Sequence, residues 1–331
     1  MKKKIGFTYD LKEDLPLKDG DPQDANAEFD AEETIEFVKS ALLTTGHTIV
    51  PIGNIKNLLK MLPELDVDIV FNICEGVDNR NREAQVPVIL EAFGIPYIGS
   101  DGLTMSLTLD KIMAKKIFSS DGIPTPRYLG IDSLAQLTDL DHMVFPMIVK
   151  MRQEGSSKGL SNASVVHNKE ELDRQAGYLF RNYGAPPLII EEFIAGSEFT
   201  VPIIGNDPPE TLPIVQVEIC DKLDLGEMIY TFDRISNPEL KYVCPAKIDK
   251  ELSDKLCDLA IRSYKAVGCL DFGRVDFRVD RNGNPHVLEI NPLPSLSLED
   301  VFDISPKVAG YDFNMAISKI IDAGLKRNGM Q

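Results

Sequence analysis

The chain has 331 residues, 43% of them hydrophobic, and a formal net charge of −17. The length allows two or three domains with ample core, and the hydrophobic content is that of an ordinary globular protein. The acidity argues against nucleic acid or an anionic membrane as partner, and an anionic substrate must be held by a local cluster of cations or a metal because the long-range field opposes it.

Met1-Lys2-Lys3-Lys4 resembles the start of a signal peptide, but Asp10 cuts the following apolar run too short, and no stretch reaches membrane-spanning length. Lys4 to Tyr9 reads as a strand, followed by an acidic loop from Glu13 to about Asp30. A helix carries Ile35, Val38 and Leu42 on one face and stops near Gly46. His47 to Ile52 is a strand, Lys56 to Leu62 a short helix, Val67 to Cys74 an apolar strand, Ala84 to Phe93 a helix, and Ile95 to Ile98 a strand. This rhythm implies a small parallel sheet covered by helices on both faces.

A helix from Asp110 to Phe118 follows, then a strand from Phe145 to Lys150, the loop Glu154-Gly155-Ser156-Ser157-Lys158-Gly159, and a strand from Ala163 to Val166. The loop thus joins two strands, unlike a Walker loop, which leads into a helix. A helix from Lys169 to Arg181, strands from Leu188 to Glu192 and Phe199 to Ile204, and a helix from Lys250 to Val267 complete the pattern. Five scattered cysteines without a Cys-x-x-Cys pair suit a reducing cytoplasm, and four isolated histidines show no metal-ligand spacing.

The most informative stretch runs from Gly273 to Asn291. Asn282-Gly283 between two alternating runs signals a hairpin with a two-residue turn. Counting outward, 281 faces 284, 279 faces 286, Asp276 faces Glu289 and Arg274 faces Asn291. Two carboxylates and an amide on one face suit a divalent cation with oxygen ligands. The plain alternative is a solvated face with the acids splayed, and a one-residue slip from a bulge or a longer loop would undo the pairing. The glycine loop offers amides, hydroxyls and an ammonium to polyphosphate oxygens, or is simply a flexible turn.

Taken in order, Asp110-Lys111, Ile148-Val149-Lys150, Glu154-Gly155-Ser156-Ser157-x-Gly159, Ile190-Glu191-x-Phe193-Ile194-x-Gly196-x-Glu198-Phe199-Thr200-Val201, Gly273-Arg274-x-Asp276 and Leu288-Glu289-x-Asn291 resemble the ATP-grasp carboxylate–amine ligases, and within them the D-alanine–D-alanine ligases. The resemblance is close from about Pro96 to Asn291. It implies an ATP-grasp fold of mixed α/β class in three consecutive α/β domains, of which the first is a Rossmann-like parallel domain. These are expected at 1–104, at 105–186 with the glycine-rich lid, and at 187–331 with the metal-binding hairpin. ATP would lie between the second and third.

By the same resemblance, Lys111 and Lys150 contact the nucleotide phosphates, and Ser156, Ser157 and the loop amides close over them. Glu191, Phe193 and Ile194 line the adenine slot, and Glu198 bonds the ribose. Asp276, Glu289 and Asn291 hold two magnesium ions, for which manganese can substitute. Arg274 faces the substrate carboxylate or its tetrahedral intermediate. Substrates would be small amino acids, with no nucleic acid or membrane partner. Such relatives are commonly dimers, so a homodimer is implied, though the sequence itself shows no interface. Chemically, an acyl phosphate is formed first and an amine then attacks it, under a lid that keeps water out.

Departures from the family pattern fall where the amino acids should sit. The glutamate that holds the first substrate's ammonium has no counterpart in Tyr9 to Leu15, and Glu75 or Glu83 is the candidate replacement, each equally readable as a solvated acid. Arg234-Ile235 stands where the family has a lysine–tyrosine pair, so Arg234 can meet a phosphate but the hydroxyl is missing. Ser295 replaces a glycine whose amide helps bind the intermediate. The expectation is therefore an ATP- and magnesium-dependent ligase with D-alanine as best single guess. The alternatives are the same chemistry on another amino acid, a hydroxy acid or a peptide, and a non-catalytic nucleotide-binding module. The acidic loop between Glu13 and Glu33 hints at a cationic or amine-bearing partner, or is merely solvated.

Overall fold

The computed structural model describes residues 2–138, 140, 142–235 and 237–330. The apolar runs of the first hundred residues form β1 (Lys4–Thr8), β2 (Thr48–Gly53), β3 (Ile69–Asn72) and β4 (Tyr97–Ile98). They make a parallel sheet in the order β2-β1-β3-β4. All of β3 is buried, as expected for an inner strand of a parallel sheet. The helix Glu32–Thr44 buries Ile35, Val38, Ala41 and Leu42, the stripe that its spacing foretold.

A second, antiparallel sheet holds β5 (Tyr128–Ile131), β6 (Met147–Met151), β7 (Val165–Val166) and β8 (Leu188–Glu192) in the order β5-β8-β6-β7. The glycine loop does connect two antiparallel strands, with Met147 opposite Val166. The strand expected from Ala163 is shorter, because Asn162–Ser164 is a 3-10 turn closed by a reciprocal Ser161–Ser164 capping box.

The third sheet comprises β9 (Gly196–Ile204), β10 (Glu210–Thr211), β11 (Val215–Ile219), β12 (Leu240–Val243), β13 (Phe272–Asp280) and β14 (Pro285–Asn291). Its order is β12-β11-β9-β13-β14, with β10 on β9. The helix Lys250–Ala266 packs Leu256, Leu259, Ala260 and Tyr264 into this sheet's core.

Sheet membership divides the chain differently from the expected segments. β8 belongs to the second sheet, so that unit would extend from 186 to Glu192. The helix Phe313–Arg327 returns to the first sheet, where Ile317, Ile320 and Ile321 share a core with Ile5, Phe7 and Ile98. Buried Asp271, just before β13, pairs with Arg327 at 2.7 Å and accepts the Gly99 amide at 2.9 Å, tying the first and third sheets together. That return is non-local and left no mark on the element pattern. Among the described residues no helix is long and apolar enough to cross a membrane.

Candidate active site

A cleft of about 970 Å³ opens among the three sheets. Every residue assigned from the sequence to nucleotide, metal or catalysis lines it, except Arg234.

The cationic floor is built from the helix Lys111–Ser120 and from β6. Asp110 caps that helix at the Met113 amide and takes a fork of two bonds from Arg152 just beyond β6, at 2.7 and 2.8 Å. The Lys111 amide donates to the Arg152 carbonyl. These bonds lock the helix start to the end of β6, so Lys111 and Lys150 face one cleft. Lys150 pairs with Glu191 at 2.7 Å, and Glu191 also meets Lys115 at 3.1 Å. Lys115 is fully buried, and burial pulls its pKa down to about 8. Glu191 is itself buried, and although burial raises a carboxyl, the two lysines hold it below its ordinary value. Its carboxylate thus anchors Lys150 and Lys115, contacts not expected from the sequence, while Glu191 also lines the cleft. Lys115 was not singled out from the sequence, because a lone lysine inside a helix gives no sign that it is buried.

In the hairpin, the structure puts Asp276 opposite Glu289 and Arg274 opposite Asn291, as counted from the turn. The route differs. Asn282 does not take positive φ while Gly283 does, at 79°. Gly283 N–H donates to Asp280 O, and Asp280 N–H to Asn284 O, so the turn is longer than two residues. Val279 therefore faces Pro285 rather than residue 286. A bulge between Asp276 and Phe277 then restores the register, with Leu288 as the extra residue. Two one-residue shifts cancel before the acids are reached.

Asp276 accepts from Thr200 Oγ1 at 2.6 Å, from Asn291 Nδ2 at 2.9 Å, and twice from Arg274 at 3.0 and 2.9 Å. Glu289 lies 3.2 Å from Lys111. Burial pushes the Glu289 carboxyl up, yet Lys111, Lys150 and Arg274 outweigh it and hold it at about 2. Two carboxylates with an amide oxygen are hard donors of the kind magnesium takes, usually alongside substrate phosphates and water. The donor set fits that ion.

Glu198 and the 193–194 segment are organised by Arg278, a residue that sequence reasoning passed over. Its guanidinium bonds Glu198 at 3.0 Å and lies 5.0 Å from the Phe193 ring centre. It also donates to the carbonyls of Ile194, Gly226 and Met228. It sits two residues beyond Asp276 on the same strand, and that alternation was the available signal.

In the glycine loop, Ser156 and Ser157 take left-handed φ of 48° and 56°, which costs energy for non-glycine residues. The amides of Gly155 and Gly159 donate to Glu28 at 2.6 Å and Asp24 at 2.7 Å. Carboxylates of the acidic segment thus occupy amides that a phosphate would use. Glu28 also pairs with Arg82 at 2.6 Å. Arg234 donates to the Ile229 carbonyl at 2.6 Å and stays outside the cleft lining. The Ile235 side chain lies outside the described residues. Ser295 lines the cleft, with its hydroxyl 2.9 Å from that of Ser297. Both Glu75 and Glu83 line the end formed by the first sheet, so the structure does not choose one over the other.

The fold and this arrangement define an ATP-grasp, ATP-dependent ligase that forms C–N bonds. The chain belongs to the D-alanine–D-alanine ligase family, residues 117–322 matching the family's model of the D-ala D-ala ligase C-terminus. It is 32% identical over 302 residues to a D-alanine–D-alanine ligase of Carboxydothermus hydrogenoformans, covering 88% of this chain and 93% of that one. It is also 32% identical over 300 residues to an uncharacterised protein of Sinorhizobium fredii, covering 88% and 87%. A crystal structure of D-alanine–D-alanine ligase from Bacillus anthracis complexed with ATP shares the fold, with TM-score 0.75 and 22% identity over 99% of each chain.

Proposed function

We propose that this ligase joins two amino acids through an acyl phosphate, with D-alanine as the best single candidate. In the first step a substrate carboxylate oxygen attacks the γ-phosphorus of ATP and ADP leaves. In the second, the amine of the other substrate attacks the acyl carbon, phosphate leaves, and the amine gives up its proton. Lys111 and Lys150 hold the phosphates, and Ser156 and Ser157 close over them. Phe193 and Ile194 flank the base, and Glu198 receives the ribose. Asp276, Glu289 and Asn291 hold magnesium, which supplies charge neutralisation for the transferred phosphoryl group. Arg274 stabilises the oxyanion formed when the amine attacks. Arg234 would take part only if its segment turned toward the cleft. The reading extends to the cytoplasm as location and to a homodimer.

The observation that carries it is the Glu289 carboxylate 3.2 Å from Lys111, facing Asp276 across β13 and β14. The test is ADP release with magnesium, using D-alanine first and then D- and L-amino acids singly and in pairs, with mass spectrometry of the products. A D-alanyl dipeptide supports the full reading. Turnover only with another pair keeps the ligase and replaces the substrate. Bound nucleotide with no turnover across the panel would overturn it.

A further inference from the structure

The acidic segment between Glu13 and Glu33 grips the glycine loop from one side. Asp24 and Glu28 stand four residues apart and accept the amides of Gly159 and Gly155, also four apart, at 2.7 and 2.6 Å. Asp24 is 6% exposed and also receives the Tyr183 hydroxyl, at the end of the helix Lys169–Asn182, at 3.0 Å. Glu28 also receives Arg82 at 2.6 Å, and Arg82 continues to the Gln153 carbonyl at 3.0 Å and to Glu154 at 3.3 Å. The segment itself is moored beside β1. Asp30 N–H donates to the Asp10 carbonyl, Lys12 N–H to the Asp30 carbonyl, and Asn26 Nδ2 to the Leu15 carbonyl. A moored segment therefore holds both flanks of a loop that belongs to the second sheet.

The grip takes two loop amides away from a phosphate and leaves two. The amides of Ser156 and Ser157, between the gripped glycines, donate to nothing among the described residues. Their left-handed φ of 48° and 56° persists only where the surroundings enforce it. Consecutive amides in such a turn make an anion-binding hollow. Bonds from an amide to a carboxylate are among the stronger hydrogen bonds, so the grip on either side is a firm one. We propose that Asp24 and Glu28 are positioning residues that hold the glycine loop in its closed, phosphate-ready shape before nucleotide arrives. The loop is then a lid latched by the N-terminal segment, and the nucleotide does not have to shape it. Each carboxylate acts through a lid amide and not on the reacting atoms. The inference goes beyond the ligase reading and rests on it only for the nucleotide that the lid covers.

Hydrogen–deuterium exchange of the ligand-free protein reads the latch without any substrate. Peptides spanning 153–160 should be protected. Asp24→Asn and Glu28→Gln should each speed their exchange about 10-fold, while the strands Met147–Met151 and Leu188–Glu192 keep theirs. Stopped-flow release of a fluorescent, non-hydrolysable ATP analogue with magnesium should quicken about 10-fold in the same variants, with equal or weaker affinity. Asp19→Asn, an exposed acid of the same segment, controls for net charge and should change neither rate. Melting temperature reports folding, and Tyr183→Phe, which loosens the Gly159 end without removing a charge, stands in if Asp24→Asn does not fold. A wild-type loop that exchanges like an unstructured peptide overturns the latch, as do variants whose loop exchanges no faster. Tighter binding of the analogue in the variants overturns it too, because the acids would then compete with phosphates for the loop. Protection lost in both variants, in a protein that binds no nucleotide, keeps the latch and overturns the ligase reading.

Discussion

The two ends of the cleft handle their charges in opposite ways. Around β13 and β14, Asp276 has Arg274, Glu289 has Lys111, Glu198 has Arg278, and Glu191 has both Lys150 and Lys115. At the first-sheet end, Glu75 and Glu83 have no such partners and Asp30 is pushed up to about 7 by its burial. Preorganised charge pairs suit a reaction whose phosphoryl donor is always the same, because the donors and dipoles need no rearrangement when charge develops. Charge pairs are thus built into the hairpin end of the cleft, whereas Glu75 and Glu83 at the first-sheet end have none among the described residues.

The comparison breaks most sharply at Glu289. Glu289→Gln keeps the size and removes the charge, and kcat should fall by about 10³-fold or more while nucleotide binding persists. Turnover within a few-fold of wild type, read by ADP release, would remove Glu289 from the metal seat. A smaller effect is expected at Arg278, whose planar fork serves Glu198, three carbonyls and the Phe193 face together. Arg278→Lys retains one charge but not the fork, and should weaken ATP binding about 10-fold by calorimetry, about 1.4 kcal/mol. Unaltered affinity would mean that Glu198 and Phe193 hold their places without it.

The smallest effect concerns Asp30. Burial raises its folded pKa to about 7 from an ordinary 3.8. Between those values the folded protein keeps a proton that the unfolded chain has released. Asp30 therefore contributes a stability that falls as pH rises from about 4 to 7 and levels off above. Asp30→Asn should remove that slope and raise Tm at pH 8 by about 2 °C relative to wild type, with less difference at pH 4. A gain of equal size at both pH values would show that charge burial is not its cause.

Elements with strong local patterns were legible in the residues. The apolar stripe Ile35, Val38, Leu42, the alternation of β13 and the position of the glycine loop between two strands all follow from spacing alone. The helices Gly102–Leu109 and Phe313–Arg327 went unassigned, although Asp101 and Asp312 are N-caps that mark their starts. The correct pairing of Asp276 with Glu289 was reached through a turn and a bulge whose shifts cancel, so that agreement owes something to compensation.

By itself the sequence determined the ligase chemistry of this protein. A lysine at a helix start, another at a strand end, acids at hairpin spacing and a glycine loop in that order carry their meaning in residue type and separation, which are local properties. Only the tertiary structure decided which acids are neutralised. Whether a glutamate is a counter-ion, as Glu191 is, a partner of the glycine-loop amides, as Glu28 is, or a buried acid without an ion pair among the described residues, as Glu83 is, depends on burial and on partners brought from far along the chain. Neither can be read from neighbouring letters.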